Sequence, residues 1–435
     1  MLPCRLIGYL ILYTFPLNTS ASIETAEQVV VNRKFEFSLE GLRGFAALVV
    51  VLGHATFHPL SLDPAYTPSI IYSSPFPGHL CVLIFFILSG YVIGLTNKKP
   101  LVRTTIIPYL RKRIVRLYPI YVVSLLLTLT VITRPYTFSV IAGHFLFLQN
   151  SVVTGIWENN PLWSLNNEVL YYIAFIPLSY LRLNPKRVLL CAVLVGIICG
   201  TILPLPLLSS YSFGFVFWVS GLWLAQSNYF PKKYSSSGLL FGLLCLFLGY
   251  GLLNPLTTAA IIIAAKVSIN TGLPGSPSIQ FSDLATLPFC FYVFLRFTNH
   301  TVKGDTFILT AFILSAFAYY AHIAHKYGFH SSESLLLLLP ISIFTIGSLL
   351  LFISLLRPTS TKLILPSPAL LKLGAISYGI YVIHFPISIM LSHIPYFTGS
   401  ALSFSVRLII HLLLVLGAGF LLELKIQPWF KSRFS

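Results

Sequence analysis

The sequence predicts an all-α protein, a polytopic transmembrane helix bundle of about 10–12 spans. Two features of composition and one of patterning carry that prediction. Hydrophobic residues make up 56% of the 435 positions and charged residues only 9%. A soluble domain needs roughly a quarter of its residues charged, so a chain this poor in charge is solvated by lipid. Apolar runs recur along nearly the whole length, each close to the ~20 residues that cross a hydrocarbon core of about 30 Å. They lack the polar–apolar alternation of β-barrel strands.

The runs fall at 41–58, 80–96, 113–133, 163–181, 188–204, 209–227, 236–254, 281–299, 305–324, 334–356, 372–394 and 402–424. Proline and glycine break several of them, and 141–150 and 255–266 read as re-entrant or interfacial. Residues 228–237 read as a loop from their turn-forming types. The predicted organisation is a leader and cytoplasmic segment at 1–37, one membrane domain at 38–424 and a cytoplasmic tail at 425–435. At the start, Arg5, an apolar run to Leu17 and small residues up to Ser22 resemble a weak signal peptide. A short interfacial leader is the preferred reading.

The net charge of +17 raises the question of nucleic acid. Position answers it: the basic residues sit in short clusters between apolar runs, with no continuous basic face. With a cytoplasmic N-terminus most Lys and Arg fall on the inside, including the cluster from Lys98 to Arg116, and few fall outside, among them Arg134, Lys266, Lys326 and Arg407. That is the positive-inside pattern. It predicts a multi-pass protein of the inner (plasma) membrane with both termini cytoplasmic, and no nucleic-acid partner. The six cysteines show no spacing suited to zinc, so no metal site is expected.

Ionisable groups inside a span are costly, and each is a functional candidate. Glu168, in Trp163-Ser-Leu-Asn-Asn-Glu168, is the one acid read as clearly within a span. Arg43 and His54 lie eleven residues apart, which puts them on one helix face separated by about 16 Å. Imidazole takes and returns protons near neutral pH. Arg113 and Arg116, at i and i+3, share a face and form a two-pronged guanidinium site suited to a phosphate. Ser377, Tyr381 and His384, at i, i+4 and i+7, form a polar stripe that either lines a pathway or packs against another span.

These pieces, in this order, resemble the acyltransferase 3 family of integral membrane acyltransferases. The stretch from Leu39-Glu-Gly-Leu-Arg-Gly to His54 resembles the first-helix signature. Phe85-Phe-Ile-Leu-Ser-Gly-Tyr-Val-Ile93 is similar to the second-helix motif, and Arg113-Ile-Val-Arg116 with Pro119 to the Arg-x-x-Arg motif. Trp163 to Glu168 and Ile376 to Pro386 resemble the later elements. One departure is that Val169 and Leu170 follow Glu168 where family members often carry a further polar residue. The chain resembles the stand-alone form, without an appended esterase-like domain.

The resemblance implies an O-acyltransferase that uses acyl-CoA, acetyl-CoA first, as co-substrate, with no bound cofactor. The expected acceptor is a hydroxyl of a surface or exported glycan, with a small molecule or a lipid as alternatives. His54 and Glu168 are the expected catalytic pair, and Arg43, Arg113 and Arg116 the expected donor-binding cations. His54 would act as general base or carry the acyl group transiently, and Glu168 would orient it or bind the acceptor. Ser377, Tyr381 and His384 are expected pathway or acceptor contacts, and membrane lipid is the surrounding partner. A transporter or flippase is the rival from another class, and a missing inverted repeat speaks against it.

Overall fold

The computed structural model describes residues 23–66, 76–203, 205–227, 237–266, 279–298, 300, 302–356 and 368–434. The expected leader at 1–22, and most of the expected loop at 228–237, lie outside the described residues. The chain divides into two units, Met1–Phe37 and Ser38–Ser435. In the first, residues 23–37 are helical; everything below concerns the second.

The apolar runs fold as helices because lipid leaves no other way to satisfy the backbone of a single segment. In chain order they are α1 (Ile23–Phe57), α2 (Gly78–Thr96), α3 (Arg103–Thr130), α4 (Phe138–Phe145), α5 (Trp163–Tyr180), α6 (Pro185–Thr201), α7 (Pro206–Gln226), α8 (Ser237–Leu253) and α9 (Pro255–Lys266). There follow α10 (Leu287–Phe297), α11 (Asp305–Tyr327), α12 (Ser332–Leu336), α13 (Leu338–Leu356), α14 (Pro368–Ala375), α15 (Ser377–Ser392), α16 (Ala401–Leu421) and α17 (Gln427–Phe434). Among the described residues, 8 helical segments are long and apolar enough to cross a membrane. The fold is an all-α polytopic bundle.

Where the helices depart from the expected runs, local chemistry explains it. The run 281–299 is a 3-10 segment, Phe281–Thr286, followed by α10 of only 11 residues. The run 372–394 is interrupted at Ile376, leaving α15 with 16 residues. α5 opens on Ser164, Asn166, Asn167 and Glu168, too polar a start for a simple span. The stretch 141–150 is the end of α4 and a tight loop in which Phe147 and Asn150 take positive φ.

Close helix crossings rest on glycine. A Cβ on Gly90 of α2 would stand 1.9 Å from the Trp218 carbonyl oxygen of α7, and one on Gly221 would stand 1.9 Å from that of Ile87. The crossing of α8 with α13 uses Gly249 and Gly347 in the same way. Without a hydrophobic force between helices in lipid, such backbone approach supplies the packing.

Two buried charges tie one end of the bundle. Arg407 of α16 donates five hydrogen bonds, to the carbonyls of Leu62, Leu391, Ile394, Tyr396 and Phe397, at 2.7–3.0 Å. Nearby, burial pushes the Asp63 carboxyl up, but hydrogen bonds from Thr398, Ser403, Gly399 N–H and Ala65 N–H outweigh it and hold it below the usual carboxylate range. A depressed folded pKa adds stability that is full above the unfolded value of about 3.9 and is lost as pH falls through the folded value. Asp63→Asn should therefore lower thermal stability at neutral pH and flatten its acid limb, as read by a melting curve in detergent from pH 3 to 7.

Candidate active site

His54 sits one turn before the end of α1. Its Nδ1 lies 3.1 Å from the Val50 carbonyl and 3.0 Å from Nε2 of His384 on α15, 330 residues away in sequence. The partners assign the tautomers. Nδ1–H of His384 donates to the Tyr381 carbonyl at 2.6 Å, so its Nε2 is an acceptor. His54 then donates through Nδ1–H, shared between Val50 O and His384 Nε2, which leaves the lone pair on its own Nε2 to receive a proton. A proton taken there would make the Nδ1–H to His384 contact a charge-assisted bond, shorter and stronger than the neutral one.

The surroundings hold that pair still. His411 of α16 donates from Nε2 to the His384 carbonyl at 2.8 Å. Ser124 of α3 donates to the Val382 carbonyl, and Asn159 donates to Ser124 and Thr128, both at 2.9 Å. Phe385 meets His54 edge-on, with centroids 5.6 Å apart, and Trp157 packs against both Phe385 and His58. Trp157 is held by its N–H to Tyr136, whose hydroxyl in turn donates to Glu158. Glu158 lies outside the spans; burial raises its carboxyl, yet the bonds from Thr133 and Tyr136 prevail and keep it below the ordinary range.

Tyr381 and His384 of the sequence stripe reach this centre. The Tyr381 hydroxyl lies 2.6 Å from Ser164 Oγ and donates to the Pro161 carbonyl at 2.9 Å, tying α15 to the start of α5. Ser377 is buried at the first position of α15, a turn further back.

Glu168 is not joined to His54 by any hydrogen bond among the described residues. Its Oε1 accepts from Ser89 at 2.9 Å and from the Tyr172 hydroxyl, and Trp218 donates to Ser89. Ser89 lies eleven residues, about 16 Å of helix, along α2 from Gly78, which packs beside Gly53 and Val50. The side chain that orients His54 is thus His384. Glu168 instead shares Tyr172 with Arg113, whose guanidinium lies 5.8 Å from the centroids of both the Tyr172 and Tyr109 rings.

The three arginines differ. Arg113 makes no salt bridge among the described residues, and its buried Nε has no hydrogen-bond partner there. Arg43 pairs with Glu40 at 3.0 Å on the same helix, both partly exposed. Arg116 pairs with Glu423 at 2.6 Å through one guanidinium nitrogen, a partner its spacing to Arg113 gives no sign of. Glu423 is only 5% exposed, in the π-helical segment Leu422–Ile426, and a carboxylate so buried is stabilised by a paired cation.

His58, His411, Asn159 and Trp157 were absent from the sequence-derived candidates. His411 could have been found by the rule used for Glu168, as an ionisable group inside an apolar helix. His58 stands four residues after His54, and the two rings stack at 6.3 Å. Asn159 and Trp157 gave no such sign.

A family model described as "Acyltransferase domain" matches residues 36–299. That stretch holds Arg43, His54, Arg113, Arg116 and Glu168, while Ser377, Tyr381 and His384 lie beyond it. The chain is 27% identical over 180 residues to "Acyltransferase MdmB" of Streptomyces mycarofaciens, a match covering 37% of this chain and 45% of that protein. It is 40% identical over 91 residues to "Protein 2 in picA locus" of Rhizobium radiobacter, covering 20% of this chain and 41% of that one. The chain thus spans less than half the length of the curated relatives it matches. No solved structure matches it.

Proposed function

The chain belongs to the acyltransferase 3 family, and from that premise we propose that it moves an acetyl group from acetyl-CoA to a hydroxyl of a surface or exported glycan. The observation that carries the reading is the His54–His384 contact, which presents Nε2 of His54 as a base within the bundle. In the proposed step the acceptor hydroxyl gives its proton to that nitrogen as its oxygen attacks the thioester carbon. The C–S bond then breaks, and His54 returns the proton to the departing CoA sulfur. His384 shares the charge of the transient imidazolium and keeps the ring aimed.

Arg113 is the main donor-binding cation in this account. Its guanidinium, bracketed by Tyr109 and Tyr172 and without an ion-pair partner among the described residues, can meet a phosphate oxygen. Arg43 offers a second, weaker contact because Glu40 already offsets its charge. Arg116 acts through structure, by neutralising Glu423. The Lys and Arg count supports an inner-membrane setting with both termini and the donor mouth cytoplasmic.

Purified protein with acetyl-CoA and a glycan acceptor should release CoA thiol and form one ester per turnover. Arg113→Ala should raise the KM for acetyl-CoA about tenfold or more, the loss of one hydrogen bond to a charged group. Arg116→Ala should instead lower the yield of folded protein, because it strands a buried carboxylate. Equal donor KM in Arg113→Ala and wild type would remove Arg113 from the donor site.

A further inference from the structure

A second oriented imidazole lies outside the pair just described. His79, in the first turn of α2, donates from Nε2 to Asp283 Oδ2 at 3.0 Å, and its ring stacks on Trp163 with centroids 6.1 Å apart. Asp283 is itself fixed, accepting the Gln280 N–H on the same oxygen at 2.7 Å. A carboxylate only accepts, so Nε2 carries the proton; in the neutral ring Nδ1 of His79 is then an acceptor. The proposed mechanism uses neither residue.

The place of His79 gives it a use. Gly78, its neighbour, sits against the His54 turn: a Cβ on Gly53 would be 3.8 Å from the Gly78 Cα, and one on Gly78 would be 3.6 Å from that of Val50. On the other side, Trp163 adjoins Ser164, which meets the Tyr381 hydroxyl, one turn before His384. The contacts close a circuit from His54 through His384, Tyr381, Ser164, Trp163 and His79 back to α1. The His79 side chain is 43% exposed, so its ring keeps an open side.

We propose that His79, held by Asp283, binds the acceptor. Its Nδ1 accepts a hydrogen bond from a second acceptor hydroxyl, while His54 takes the proton of the hydroxyl being acylated. The site then selects acceptors bearing at least two hydroxyls, one for each imidazole. This rests on the acetyl-transfer reading above and adds a specificity determinant to it. A buried polar group built to pair with a substrate hydroxyl discriminates strongly against an analogue that lacks it.

The test uses the full-length protein in nanodiscs with acetyl-CoA, a series of methyl glycosides and their monodeoxy derivatives. His79→Phe keeps the ring against Trp163 and removes both nitrogens; His79→Gln restores an acceptor. The expected result is that His79→Phe raises the KM for the glycoside about tenfold or more. The KM for acetyl-CoA stays at its wild-type value, which also shows that the variant is folded, and His79→Gln recovers part of the loss. One monodeoxy glycoside should show the same penalty with wild type and none further with His79→Phe. An unchanged glycoside KM, or both KM values rising together, would overturn the proposal and leave the acetyl-transfer reading standing. Failure of the wild type to acetylate any glycoside, with acetyl-CoA still bound, would instead overturn the glycan reading and this inference with it.

Discussion

His54→Ala is expected to lower acetyl transfer by roughly 10³-fold, within the range for loss of a general acid–base group, while leaving acetyl-CoA affinity unchanged. The split follows from the geometry. Arg113, the proposed donor cation, touches Tyr109 and Tyr172 and has no contact with the His54–His384 pair. Removing the imidazole deletes the proton acceptor without disturbing the guanidinium. His384→Gln should cost less, because His54 keeps its Nδ1–H bond to Val50 O and loses only the partner that shares its positive charge. Steady-state kinetics on purified variants read both effects. A raised donor KM with near-normal kcat in His54→Ala would place His54 in binding rather than in proton transfer.

Gly90→Ala is expected to abolish or sharply reduce the yield of folded protein. The added methyl would meet the Trp218 carbonyl at 1.9 Å and the Leu222 nitrogen at 3.2 Å, both backbone atoms of α7. No rotamer change relieves a backbone clash, so the two helices must separate. Overpacking commonly costs about 1–3 kcal/mol, and here Gly221 presses on the Ile87 carbonyl from the opposite side. Separation would also pull Trp218 from Ser89 and Ser89 from Glu168, exposing the effect in the carboxylate that shares Tyr172 with Arg113. Gly417→Ala is the control. It lies in the apolar helix α16 with nothing within 4 Å of its added Cβ, and alanine favours helix by about 1 kcal/mol over glycine. Size-exclusion yield and melting temperature in detergent should separate the two variants clearly. Equal stability for both would mean that α2 and α7 do not cross as closely as described.

The all-α architecture was legible because lipid solvation and span length constrain composition directly. The candidate residues are legible as motifs, and periodicity places Tyr381 and His384 on one stripe of α15. Periodicity names a face and not its partner, so the meeting of His384 with His54 was left open between packing and a pathway. Glu168 shows the opposite limit. Its place in a polar stretch is readable from the sequence, but Ser89, which donates to it from another helix, is not. Glu423 carries no sign in the sequence of the partner it has in the fold. Its role depends on a π-helical segment and on Arg116, more than three hundred residues earlier. Arg407 was counted as an outside loop charge, whereas its five carbonyl partners draw it into the packed end of the bundle.

The most direct test of the central claim counts O-acetyl groups on surface glycans by NMR. Cells would carry wild type, His54→Ala at matched membrane abundance, or no copy. The account predicts acetyl groups with wild type only, and their absence in the other two. Equal acetylation by wild type and His54→Ala would contradict the assignment of His54 as the base, and acetylation unchanged in all three would contradict glycan acetyl transfer itself.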